Sequence, residues 1–129
     1  MLECSPLDVL SDILMDVPDM VFAYTSDGRY LFVNTAAAEY LGANPIDVIG
    51  RHWEELGYPA EVMTPLTEKV AFVAATGRPA YHRFFSTALK DFRIFDMSLT
   101  PLWSEDGNVL AILAIAHDIS EFFHPGPVA

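Results

Sequence analysis

The sequence predicts an α+β fold in which one antiparallel sheet carries its helices on one side. Three observations lead there. The elements run in the order helix, two strands, several helices, three strands. Acid–glycine turns, Asp27-Gly28 and Asp106-Gly107, join the first and the last pair of strands, and Asp-Gly is a strong hairpin signal. Val109 to Ala116 is apolar throughout, as a central strand covered on both faces would be.

Taken in order, Pro6 to Val17 reads as a helix. Leu7, Leu10, Ile13, Leu14 and Val17 recur at steps of three and four, Ser5 and Pro6 suit an N-cap and first helical position, and Pro18 ends it. Met20–Thr25 and Arg29–Asn34 are rich in β-branched and aromatic residues and read as the first hairpin. Asn34 then caps a short helix, Thr35–Leu41, that Gly42 stops. Asn44-Pro45-Ile46-Asp47 repeats that logic. Thr64-Pro65 opens a longer helix with Leu66, Val70 and Val73 on one face and Gly77 at its end. Strands follow at Ala80–Ser86 and Phe92–Leu102; in the second, Phe95, Met97 and Leu99 alternate with Asp96, Ser98 and Thr100. After the last strand, Asp118-Ile119-Ser120-Glu121 has the form of a capping box and predicts a short terminal helix, stopped by Pro125 and Pro127.

With 129 residues, 52% of them hydrophobic, the chain can fill the core of one domain without a metal or disulfide staple. Seven Lys and Arg stand against 18 Asp and Glu, a formal net charge of −11. That balance argues against nucleic acid and against anionic membranes, both of which reward basic residues. No apolar run approaches the roughly 20 residues of a spanning helix. The N-terminus also lacks the basic-then-apolar pattern of a signal peptide. Cys4, the single cysteine, has no internal disulfide partner. A cytoplasmic location is expected.

Four pieces of the chain follow one another: Pro18-Asp19 leading to Asp27-Gly28-Arg29; Tyr30-Leu31-Phe32-Val33-Asn34 with Ala36-Ala37; Leu41-Gly42, Asn44-Pro45 and Val48-Ile49-Gly50-Arg51; and Ser98-Leu99-Thr100-Pro101-Leu102, Asp106-Gly107 and Asp118-Ile119-Ser120. In that order they resemble the PAS domain family over Val17 to Glu121. The resemblance implies a five-stranded antiparallel sheet cupped by helices, spanning 18–121. A flanking helix at 1–17 would precede it and a tail at 122–129 follow it. PAS domains sense small ligands, bound cofactors, light or redox state, and signal to kinases, cyclases, phosphodiesterases or transcription factors. Asp118, Ile119 and Ser120 resemble the family's output joint, where the last strand meets the effector helix.

Alternation assigns an inner wall of Phe22, Tyr24, Phe95, Met97, Leu99, Ile112, Ala114 and Ala116, and similarity to flavin-binding PAS domains turns the same residues toward a ligand. Leu66, Val70 and Val73 would face them, with Trp53 alongside. Ala114 and Ala116 leave room at the centre of the sheet; Phe22, Tyr24, Trp53 and Phe95 are large enough to fill it. The wall therefore reads either as a packed core or as a small apolar ligand site.

No cofactor is expected. Photoreceptive flavin domains resemble this chain around Gly50-Arg51-His52-Trp53, but carry a reactive cysteine where Trp53 stands and a phosphate-binding arginine where Glu54 stands. Haem PAS domains offer a histidine on the long helix, and Pro65–Thr76 has none; His52 and Met63 are the nearby alternatives. His52, His82, His117 and His124 show no metal-ligand spacing.

These readings point to a regulatory sensor module, with a bacterial sensor histidine kinase as the expected parent by the family's habit. The module would bind a small apolar ligand or mediate dimerisation. The alternative is a ligand-free docking or dimerisation module of a cyclase or transcription regulator. A small enzyme is disfavoured, because Tyr24, Thr67 and His52 are the only polar groups near the wall and no nucleophile–base pair stands out. A homodimer is expected through the stripe Leu7, Leu10, Ile13, Leu14 and Val17, which something must cover. The chain reads as a piece of a larger signalling protein or a stand-alone module. The other partner would be an effector domain of the same protein or of a second one.

Overall fold

Residues 6–86 and 92–123 are described in the computed structural model. Strands β1 (Met20–Tyr24), β2 (Tyr30–Val33), β3 (Ala80–Ser86), β4 (Arg93–Trp103) and β5 (Val109–Asp118) form one sheet in the order β2-β1-β5-β4-β3, antiparallel at every pairing. Helices α1 (Pro6–Leu14), α2 (Thr35–Leu41), α3 (Pro45–Val48), α4 (Trp53–Leu56) and α5 (Ala60–Thr76) complete it, with a 3-10 turn at Ser120–Phe123. The expected α+β architecture is present, and the apolar run from Val109 lies in the central strand. First and last strands are neighbours there, with Met20 opposite Ala116 and Phe22 opposite Ala114.

The core fills the space between α5 and the inner sheet face. Leu66, Val70 and Val73 descend from α5 onto Phe22, Met97, Leu99 and Ile112, all of them buried. Each such apolar side chain contributes roughly 1.5–3 kcal/mol on leaving water. Ala114 and Ala116 lie in the middle of the sheet. In register they are flanked by Phe22 and Leu99, and by Met20 and Met97, and both alanines are closed over at 0% and 1% exposure.

Three boundaries differ from expectation. Helix α1 ends at Leu14 rather than Val17, and the turn that follows is held by Asn34 and Thr35. Asn34 Nδ2 donates to the carbonyls of Leu14 and Val17, and Thr35 N–H donates to that of Met15. Helix α5 begins at Ala60, with Pro59 as its N-cap, so Pro65 lies inside it instead of opening it. A proline there has no N–H to return to the Glu61 carbonyl and costs one helical bond. The terminal helix is only the 3-10 turn.

Helix α4 is a short capped turn. His52 Nδ1 accepts from Glu54 N–H at 3.3 Å, and Glu55 accepts from His52 N–H. Arg29 clamps Glu55 from the β1–β2 hairpin at 2.6 Å.

Candidate functional site

A cleft of about 50 Å³ opens between the first turns of α5, helix α2 and strand β3. Alternation places each sheet residue on it. Phe22 and Tyr24 point inward from β1, Tyr30 from β2, His82 and Phe84 from β3, and Met97 from β4. Tyr40 and Leu41 come from α2, and Val62, Met63 and Leu66 from α5.

Two aromatic groups form its walls. Phe22 stacks with Tyr24 at 6.1 Å between ring centroids, and Tyr24 meets Tyr30 at 5.1 Å. Opposite, Phe84 stacks on Phe95 at 5.1 Å and on His82 at 5.8 Å, with Tyr40 edge-on to Phe84. The polar tips are partnered. Tyr24 hydrogen-bonds the Tyr30 side chain, and Tyr40 donates to Ser86 Oγ at 2.7 Å. Burial, reinforced by the neighbouring tyrosines, holds the Tyr24 phenol well above its usual range, and burial does the same to Tyr30. Both stay neutral at any physiological pH. Burial and then the Lys69 charge hold the His82 imidazolium below its usual range, so the ring is neutral at pH 7.

Of the residues expected on the wall, Phe22, Tyr24, Leu66 and Met97 line the cleft. Val70, Val73, Phe95, Leu99, Ile112, Ala114 and Ala116 are buried in the core beside it. Trp53 is half-buried away from it, its indole N–H donating to Thr67 Oγ1 at 2.9 Å, which ties α4 to α5. Residues that sequence reading did not bring to the site are Tyr30, Tyr40, Leu41, Val62, Met63, His82 and Phe84. For His82 and Phe84 the alternation of β3 gives no choice of face, since both faces carry large side chains.

At the output joint, Asp118 Oδ1 accepts from Ser120 N–H at 2.9 Å and its other oxygen faces Arg93. The expected capping box is absent; the bond spans two residues, as in an Asx turn. Ser120 Oγ accepts from Ile94 N–H, and buried Ile119 donates to the Ile94 carbonyl. On the expected dimer stripe, Ile13 is 63% exposed, while Leu14 and Val17 are half-buried. The side chains of Leu7 and Leu10 lie outside the described residues, as does His124. Among the described residues, no cluster of His, Cys, Asp and Glu could hold a metal, and no helix is long and apolar enough to cross a membrane.

Five antiparallel strands in the order β2-β1-β5-β4-β3, with an apolar cleft under the helices, define a PAS-type module. The chain belongs to the PAS fold family, whose profile matches residues 14–123. No curated protein matches it in sequence. Among solved structures it is similar to the PAS domain of Bordetella pertussis BvgS, at 21% identity and a TM-score of 0.74 over 91% of this chain and 90% of that one. It is also similar to a sensory box sensor histidine kinase from Vibrio cholerae, at 16% identity and a TM-score of 0.67, covering 86% and 89%. A structure described as VqmA bound to DPO matches at 16% identity and a TM-score of 0.75 over 88% of this chain. The match spans 58% of that VqmA chain.

Proposed function

We propose that the chain is a regulatory sensor module that reports occupancy of the cleft to an effector. The observation that carries this is the cleft itself: an aromatic-walled opening, lined by no carboxylate, lysine or arginine, beside a filled core. Such a lining suits a small neutral ligand. The VqmA structure with DPO bound supports ligand sensing on this fold. A bacterial sensor histidine kinase is the proposed parent, supported by the BvgS domain and the Vibrio kinase domain. The module is proposed to work as a cytoplasmic homodimer, without haem or flavin and without binding nucleic acid. Ile13 standing exposed on α1 favours the dimer, and the charge of −11 disfavours nucleic acid.

Native mass spectrometry of the purified chain tests the reading, with Val62→Trp filling the lip of the cleft. A small molecule retained by the parent protein and lost from the variant is expected, with no visible absorption band. An empty protein whose partner binding is untouched by Val62→Trp would favour the docking alternative.

A further inference from the structure

Lys69, one turn beyond Leu66 on α5, reaches across to β3. Its ammonium donates to the Tyr81 carbonyl at 2.7 Å and lies 3.1 Å from His82 Nδ1. An ammonium has donors and no acceptor, so Nδ1 must be the accepting nitrogen. A neutral imidazole that accepts at Nδ1 carries its proton on Nε2. That Nε2–H has no partner among the described residues, and no fully sealed polar side-chain atom there lacks one, so this donor is not sealed off. The other polar groups of the lining are engaged, Tyr24 with Tyr30 and Tyr40 with Ser86. His82, on the lining of the cleft, thus carries an oriented, unused donor.

We infer that His82 selects the ligand, and that the ligand is a neutral single-ring molecule whose carbonyl or ring nitrogen accepts a hydrogen bond from His82 Nε2–H. This rests on the sensor reading above. A charged ligand is disfavoured because the lining has no counterion, and an unpaired ion in apolar surroundings is costly. Lys69 is a positioning residue, setting the tautomer from outside the cleft. At about 50 Å³ the cleft is smaller than the roughly 150 Å³ that receives benzene. Entry must widen it. The start of α5 lacks one tie, since Pro65 leaves the Glu61 carbonyl without its helical donor, and Val62 and Met63 face the cleft there.

Titrations of the full chain with benzamide, toluene and benzoate, followed by the methionine methyl and imidazole nitrogen signals, test this. Benzamide should shift the Met63 and Met97 methyls and His82 Nε2, and bind about ten-fold more tightly than toluene. His82→Phe should erase that preference and His82→Gln, which keeps a donor, should retain part of it. Lys69→Met should let the imidazole proton redistribute to Nδ1 and weaken benzamide but not toluene. Equal binding of benzamide and toluene, or a preference that survives in His82→Phe, overturns the role of His82 and leaves the sensor reading standing. Benzoate binding more tightly than benzamide overturns the neutral-ligand assignment. Failure of all three to bind the cleft up to their solubility overturns both the inference and the sensor reading.

Discussion

Asn34 is the one fully buried polar side chain in the described core, and it joins three parts of the chain. Its Oδ1 accepts from Val21 N–H in β1 and from Ala37 N–H in α2, both at 3.0 Å. Its Nδ2 faces the carbonyls of Leu14, Val17 and Asp19. Asn34→Ala should therefore cost roughly 2–4 kcal/mol, since it removes a cap and leaves buried donors and acceptors unpaired. Asn34→Asp keeps the acceptor but aims a negative oxygen at three carbonyls. It should be at least as damaging at pH 7 and partly recover in acid, measured by urea melts at both pH values. A second residue has a pH signature of its own. The hydrogen bond that His117 Nδ1–H donates to Asp19 Oδ1 at 2.8 Å, and then the Asp19 charge, hold the His117 imidazolium above its usual range. A raised histidine contributes fully below its unfolded value near 6.5 and loses that contribution as pH rises through the folded value. Because the pair is well exposed, the effect should stay under about 1 kcal/mol. His117→Asn should remove that alkaline decline from the stability curve; an unchanged curve would show the pair to be idle in solution.

Helix ends show which parts of an element are written locally. Gly77 stops α5 in the left-handed region at φ 69°, and a Cβ there would run into the Trp103 ring. Gly107, at φ 86°, has nothing within 4 Å of that position. Gly107→Ala should then cost only the backbone penalty of about 1–2 kcal/mol. Gly77→Ala should cost about 1–3 kcal/mol more. Combining it with Trp103→Ala should return most of the excess, a coupling that thermal melts of the double-mutant cycle would reveal. Caps and turns of this kind made α2, the stop of α5 and both hairpins legible in sequence. The start of α5 was not, because Pro65 mimics a first-turn proline while the true cap, Pro59, carries no side-chain signal. Strand β3 was ambiguous for another reason. Both of its faces carry large side chains, Tyr81 and Phe85 on one and His82 and Phe84 on the other. Only pairing with β4, His82 against Met97 and Phe84 against Phe95, decides which face closes the cleft. Hence the β1 and β4 contributions to the site could be read from alternation, and those of α2 and β3 could not.

For the molecule as a whole, the proposed dimer must overcome the repulsion of two chains at −11 each. Salt screens that repulsion beyond about 8–10 Å, so added salt should tighten association. The contact is expected to join α1 to the outer sheet face, where Leu113 and Ile115 are only half-buried. Ile13→Asp, and separately Ile115→Asp, should give a folded monomer by sedimentation. A wild-type chain that sediments as a monomer at micromolar concentration would show that these faces need no second copy. The placement of β1 beside β5 has a further consequence. The polypeptide enters and leaves the domain at one spot, where Asp19 from the entrance meets His117 from the exit. In connectivity the domain is therefore a loop pinched at its neck, able to be spliced into a longer chain as a side branch.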